Sequence, residues 1–324
     1  MIMLRFDMRA PETGPASIDD LYTAAIEMSV WAEREGAAAI VLSEHHASPD
    51  GYLPSPLVLA AAIAARTTTV PITVAALLVP LHDPVRLAED MAVVDILSRG
   101  RVSYVAGLGY REEEYAMFGR SLAERGRRME ECLTVLQRAW SGEEFDYAGR
   151  TVRVTPRPST PGGPLLMYGG GSHAAAKRAA RFGLSFFAQS ATPALETTYR
   201  NECARLGREP AMCIVPAADA ATTIFVAENV DDGWDCFGPF MRHDAQMYAS
   251  WLGDADAASK STALTVDALR AEEGAYRVLT PSEAVDYTRK IGTLALHPLC
   301  GGCPPALAWE SLQLVADRVV PELR

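Results

Sequence analysis

Ala37-Ala38-Ala39-Ile40-Val41-Leu42-Ser43-Glu44-His45-His46 is the stretch on which the reading of the chain turns. Its apolar first half reads as a buried strand. Its second half is a hydroxyl, a carboxylate and two imidazoles. In a (β/α)8 barrel the chemistry sits at the C-terminal ends of the strands, which is where these groups fall.

The flanking sequence supports that architecture. Met1 to Met8 is a short β-compatible run and Pro11 to Pro15 a loop. Ser17-Ile18-Asp19-Asp20 then opens a helix, with Ser17 as N-cap and acids in the first turn. Leu21, Ala25, Met28 and Ala32 recur at helical spacing as far as Gly36. Strand, helix and strand joined by short links are the mark of a parallel sheet. The unit repeats: a helix from Leu57 to Arg66 with Ser55 and Pro56 at its start, a strand over Val70 to Leu78, and a helix from Asp83-Pro84 to Leu97. A strand over Arg101 to Ala106 follows. A helix is expected over Leu122 to Trp140 and a small hairpin over Phe145 to Val154. Later strands fall at Leu165 to Tyr168, Leu184 to Ala188, Thr222 to Ala227 and, more weakly, Leu294 to Leu296. Helices are expected at Ala174–Arg181, Pro193–Leu206, Asp231–Trp251, from Thr280 and at Pro304–Leu323, with a polar connector at Gly253 to Ser261.

Eight strand-helix alternations without a separating linker predict one α/β domain over residues 1–324, a single (β/α)8 TIM barrel. Such barrels take about 250 residues and more with insertions. The extra length lies at 107–163 and 228–280, after strands 4 and 7, on the expected rim of the site. A doubly wound open sheet is the competing architecture, but no Gly-x-Gly-x-x-Gly turn follows the first strand.

The chain has 324 residues, 49% hydrophobic and 22% charged, with a formal net charge of -11. That balance disfavours nucleic acid and anionic membranes as partners, because no basic surplus neutralises phosphate. No apolar run reaches the roughly 20 residues of a membrane-spanning helix, and the N-terminus lacks the order of a signal peptide. Six scattered cysteines do not suggest a secreted disulfide framework. A cytoplasmic enzyme with small-molecule partners is expected.

Three roles are open to Glu44-His45-His46: structural, metal-binding and acid-base. A metal needs three or four converging ligands. The other cysteine-bearing cluster, Cys300-Gly301-Gly302-Cys303, also reads as a Gly-rich loop before Pro304-Pro305, so no metal is expected. Histidine suits proton transfer because its ordinary pKa lies near neutrality. Gly169-Gly170-Gly171-Ser172 joins a strand to a helix, and its free amides and positive helix end favour a phosphate. A tight turn with an N-cap serine gives the same pattern. Gly107-Leu108-Gly109-Tyr110-Arg111 follows another strand and offers amides and a cation. Neither loop fits a P-loop or the dinucleotide fingerprint.

These blocks resemble the bacterial-luciferase-like family of flavin-dependent oxidoreductases. Glu44-His45-His46 resembles the family's acid-His-His at the end of the second strand. The run Val74 to Asp90, then Asp95 to Arg101 and Phe118-Gly119, resembles the third strand and its helix in the luciferase catalytic subunit. Gly171-Ser172 through Leu184 resembles the phosphate loop and the helix behind it. The resemblance implies a flavin at the C-terminal mouth of a barrel and places His45 on the catalytic histidine. It places Ala75-Ala76 on an alanine pair joined by a cis peptide beneath the flavin ring, and Ser172 on the serine that holds the FMN phosphate. Gly107, Gly109, Tyr110, Gly170 and Gly171 complete the expected cofactor contacts. Two positions depart from luciferase: Leu108 stands where it has a phosphate-binding arginine, and Gly171 where it has an acid beside the serine. Arg111, Arg178 or loop amides are the expected replacements.

The expected activity is that of a two-component monooxygenase. Reduced FMN comes from a separate reductase and, with molecular oxygen, oxygenates a small organic substrate in a pocket that excludes water. His45 is the expected acid-base group, with Glu44 and His46 orienting it or lining the pocket, and Tyr110, His243 and Tyr248 on the substrate rim. The alternatives are hydride transfer with a deazaflavin coenzyme and, further off, a non-catalytic flavin-binding protein. Family members are often homodimers through the helices after strands 2 and 3, a role open here to the apolar helix Leu57 to Ala65.

Overall fold

A computed structural model describes residues 1–252 and 260–324; residues 253–259, most of the connector expected at Gly253 to Ser261, lie outside the described residues. The strands are β1 (Ile2–Phe6), β2 (Ala39–Leu42), β3 (Ile72–Leu77), β4 (Val102–Ala106), β5 (Phe145–Tyr147), β6 (Arg150–Val152), β7 (Leu166–Gly170), β8 (Ser185–Ala188), β9 (Cys213–Ile214), β10 (Thr223–Val226), β11 (Tyr276–Leu279) and β12 (Leu294–Leu296). The helices are α1 (Ile18–Arg34), α2 (Pro56–Arg66), α3 (Pro84–Ser98), α4 (Glu112–Met117), α5 (Arg125–Ala139), α6 (His173–Phe182), α7 (Pro193–Arg205), α8 (Val230–Leu252), α9 (Val266–Ala271), α10 (Pro281–Ile291), α11 (Pro305–Leu314) and α12 (Val320–Leu323).

Local chemistry explains most of the boundaries. Ser17 Oγ accepts the Asp20 amide at the start of α1, Asp83 accepts two amides at the start of α3, and Thr280 and Glu283 form a reciprocal capping box on α10. Each such cap contributes about 1 kcal/mol. Ser55 stands at the expected cap of α2 but makes no side-chain capping bond there. The closing helix expected over Pro304 to Leu323 is interrupted by a π-helical segment at Val315–Val319, just before Pro321, whose ring cannot continue a regular ladder.

Among the described residues, ten strands form one sheet in the order β11-β10-β12-β1-β2-β3-β4-β7-β8-β9, and its pairs are all parallel. From β1 the order follows the chain without the reversal of a doubly wound sheet. The first strand also pairs with the last, Ile2 against Leu294. This is the winding of an α/β TIM barrel. The eight expected strands are all present. Two short ones, β9 and β11, join them, and β5–β6 form the expected hairpin. β11 lies outside β10, so the 228–280 insertion contributes sheet as well as helix. Side chains of Leu4, Phe6, Ile40, Leu42, Ile72 and Val74 are buried between the sheet and its helices. No helix among the described residues is long and apolar enough to cross a membrane.

Candidate active site

A cavity of about 440 Å³ opens at the C-terminal ends of the strands. Loops leaving β2, β4 and β7 supply its walls, and α8 closes one side with Tyr248 and Leu252. Met241, Asp244, Ala245, Tyr248 and Leu252 recur at helical spacing on the buried face of α8, so the second insertion folds down onto the mouth. Of the residues singled out in the sequence, Glu44, His45, Ala75, Ala76, Gly107, Gly109, Tyr110, Gly170, Gly171 and Ser172 all line this cavity. The Ala75-Ala76 peptide is cis, and Ser43 Oγ donates to the Ala75 carbonyl at 2.9 Å. Gly107 is required by close approach: a Cβ there would stand 2.7 Å from Ala76 Cβ. Gly109 is required by conformation, at φ +72°.

His45 sits within an aromatic shell. Tyr52, Tyr110, Tyr248 and Trp251 lie 4.9, 5.7, 6.1 and 4.8 Å from its ring centroid. Burial in that shell pushes its pKa below the ordinary 6.5, against the opposing hydrogen bond to Glu114, so the neutral ring is favoured at neutral pH. Its Nδ1 lies 2.8 Å from Glu114 Oε1. A carboxylate only accepts, which places the proton on Nδ1 and leaves Nε2 as the free proton acceptor. Glu114 is fully buried and also accepts from the His46 amide at 2.9 Å and from Arg111 Nη1 at 3.3 Å. The orienting carboxylate of His45 is thus Glu114 from the first insertion, not Glu44.

Glu44 has a different task. Its Oε1 accepts from His46 Nε2 and His82 Nε2, both at 2.9 Å, and its Oε2 accepts from the Leu78 amide at 2.5 Å. Burial alone would raise its pKa, but the bonds from His46 and His82 overcome that and hold it at about 2. Glu44 therefore anchors the end of β3, just past the alanine pair. His46 turns from the cavity toward Glu44 and packs edge-on against Phe118 at 4.8 Å. His243 also lies off the cavity wall, 2.8 Å from Asp50 Oδ2.

The two arginines expected to replace the phosphate arginine make other contacts, which leaves the loop amides of the three candidates. Arg111 donates to the His46 carbonyl at 2.6 Å and lies 4.2 Å from the Trp251 ring. Arg178 donates to Glu130 and to the Tyr168 hydroxyl. The cations on the cavity wall are Arg5 and Arg125, neither identified from sequence. Arg125 opens α5, close to the α6 helix that Ser172 caps through the Ala175 amide.

A buried ionic network lies behind the aromatic shell. Arg9 contacts Asp50 at 2.6 Å, Asp244 at 2.8 Å and Asp7 at 3.5 Å. Asp7, Asp244, His297 and Cys300 bring potential metal-ligand atoms within 4.8 Å of one another. Arg9 already neutralises both carboxylates, so a divalent cation would have to displace a buried guanidinium. Cys300 and Cys303 are both buried and unbridged.

The fold and cavity define a TIM barrel with a buried, carboxylate-paired histidine at its C-terminal mouth. The chain belongs to the luciferase-like monooxygenase family, whose model matches residues 2–293. It is 29% identical over 143 residues to the oxygenase component of a flavin-dependent trigonelline monooxygenase from Acinetobacter baylyi, covering 44% of this chain and 39% of that protein. The chain thus spans well under half of that curated relative. The monooxygenase RslO1 of Streptomyces bottropensis shares the fold with a TM-score of 0.78 at 21% identity, over 100% of both chains. So does the oxygenating constituent of 3,6-diketocamphane monooxygenase from Pseudomonas putida, solved in complex with FMN, with a TM-score of 0.69 at 19% identity over 99% of this chain and 98% of that one.

Proposed function

We propose that this protein is the oxygenase component of a two-component flavin-dependent monooxygenase acting on a small organic substrate. The observation that carries the reading is His45, oriented by Glu114 and facing a cavity whose other walls suit a flavin. Ala75, Ala76, Gly107 and Gly169 to Gly171 present backbone and methyl groups along which a planar ring can lie. Ser172 and Arg125 supply a hydroxyl and a cation for a phosphate, and α6 adds its positive end. The family relative described as an oxygenase component supports a separate reductase as partner.

Reduced FMN, when bound, supplies the electrons that activate molecular oxygen. The protein's part is geometric and electrostatic. Glu114 holds His45 in one tautomer, so that Nε2 accepts a proton from the reacting groups and returns it later. Tyr110, Tyr248, Leu252 and Trp251 keep bulk water from His45. Glu44 fixes the alanine pair through the Leu78 amide. A homodimer through α2 and α3 is part of the proposal. Val58 on α2 and Val93, Ile96 and Leu97 on α3 are exposed apolar side chains on neighbouring helices.

The test is a titration of the purified protein with FMN and with the deazaflavin coenzyme, followed by His45→Asn in a coupled assay with a flavin reductase. FMN is expected to bind, and His45→Asn to lower turnover by about 100-fold or more with FMN affinity retained. Tight binding of the deazaflavin with none of FMN would overturn the reading, as would full activity of the variant.

A further inference from the structure

β1 alternates strictly: Ile2, Leu4 and Phe6 are buried, while Arg5 faces the other way and lines the cavity. Arg5 lies deep in the barrel, and its hydrogen-bond partner among the described residues is the Tyr248 hydroxyl, 2.6 Å from Nη2. Tyr248 is in turn 2.8 Å from the Tyr52 hydroxyl. No carboxylate of the described residues lies within ion-pair distance of Arg5. The carboxylate whose field reaches it, Asp244, gives Oδ1 to Arg9 at 2.8 Å and Oδ2 to the Tyr276 hydroxyl at 2.9 Å. The cavity's own carboxylate, Glu44, is consumed by His46, His82 and the Leu78 amide. Gln189, also on the wall, is neutral.

The contrast with Arg9 is informative. Four residues along the same chain segment, the fully buried guanidinium of Arg9 is met by three aspartates, whereas Arg5, half-buried on the cavity wall, has none. A cation held partly out of water without an anion is costly, and this fold neutralises Arg9 while leaving Arg5 with the phenols of Tyr248 and Tyr52. The remaining donors of Arg5 face an open cavity whose wall also presents Val41, Val105, Phe187 and Leu252. A ligand suited to it has an apolar body and one ionised oxygen group. A guanidinium pairs with a planar carboxylate through two parallel hydrogen bonds, and the carboxylate is the smallest such group for a largely apolar wall.

We propose that Arg5 is the specificity residue of the cavity and that the substrate it selects is an apolar carboxylic acid bound as its carboxylate. This rests on the monooxygenase reading only in calling the ligand a substrate. The same ionised-oxygen chemistry has a second source, the pyrimidine edge of a reduced flavin, and the experiment separates the two.

The full chain, with and without FMN, is titrated by tryptophan fluorescence with octanoate, cyclohexanecarboxylate, benzoate and nicotinate, and with the methyl ester of each. At least one acid is expected to bind about 10- to 100-fold more tightly than its ester, the range of a charge-assisted hydrogen-bonded pair. Arg5→Met is expected to abolish that preference, Arg5→Lys to retain part of it, and both to leave the affinity for reduced FMN within about twofold. Equal binding of acids and esters, no binding of any acid, or an acid preference that survives in Arg5→Met each overturns the proposal. So does a Met variant that weakens reduced FMN, or lowers the potential of the bound flavin, with acid binding unchanged; that result gives Arg5 to the cofactor. Should Arg5→Met not fold, the wild-type acid-to-ester ratio and Arg5→Lys decide. Failure of FMN to bind defeats the monooxygenase reading but leaves the flavin-free titration to judge Arg5.

Discussion

Replacing Glu44 by glutamine keeps the shape of the side chain and removes its charge. The native carboxylate has no solvent exposure and accepts three hydrogen bonds, from His46 Nε2, His82 Nε2 and the Leu78 amide. An amide offers one acceptor oxygen and turns two donors toward groups that are themselves donors. Burial opposes the charge, yet the bonds from His46 and His82 bring the carboxyl from its ordinary 4.5 down to about 2. Glutamine mimics the protonated acid, so its cost is that difference, about 3 kcal/mol of folding stability. A carboxyl depressed on folding stabilises fully above 4.5 and loses that contribution as pH falls through 2, so at pH 3 about 1 kcal/mol remains. His82 reports the same pair from the other side. Burial lowers its pKa, the Glu44 bond more than offsets this, and the net value is raised above 6.5. Its contribution is complete below 6.5 and fades as pH rises through the raised value. The gap between wild type and Glu44→Gln should therefore be widest between pH 4.5 and 6.5 and narrow on both sides. Urea unfolding followed by circular dichroism at pH 3, 6 and 9 measures it. A gap under about 1 kcal/mol at pH 6, or one that stays constant across the three pH values, refutes the reasoning.

Glu114→Gln should lower turnover by about 10- to 100-fold while leaving flavin affinity unchanged, because Glu114 acts through His45. Burial places the His45 pKa below 6.5, so kcat/KM should fall on the acid side of that value as the base becomes protonated. The Glu114 bond raises the His45 pKa, so in Glu114→Gln the acid limb should move to still lower pH; an unmoved limb counts against the assignment. Arg125→Gln should weaken FMN by about 10-fold and leave riboflavin, which lacks the phosphate, unchanged in the same fluorescence titration. Equal loss for both ligands would remove Arg125 from the phosphate site.

The barrel was legible because its information is local. Apolar runs of strand length, caps such as Ser17, Asp83 and Thr280, and short joints each act within a few residues. β11 escaped because Tyr276–Leu279 is short, carries Arg277 and has only half of its pattern buried, so nothing in sequence separates it from loop. The cis alanine pair followed from resemblance rather than from any periodicity, whereas the serine loop showed as a glycine run between a strand and a helix start and took its phosphate role over a plain tight turn from the resemblance.

The chemistry of the site divides along the same line. Residues contributed by strand ends, from Glu44 to Ser172, announce themselves because each stands at a recognisable boundary. Their partners do not. Glu114 meets His45 across 69 positions, and Arg5 meets Tyr248 across 243. Glu114 reads in sequence as the third of three acids opening a short helix, which is a commonplace solvated face. Arg5 reads as a polar residue in an edge-like strand. What distinguishes each is burial against a specific partner, a property of the closed barrel and of α8 folded over its mouth. Spacing left the role of the acid-His-His block open and resemblance pointed it to proton transfer; only the packed fold shows that Glu44, the obvious acid, braces the strand, while Glu114 sets the tautomer of His45.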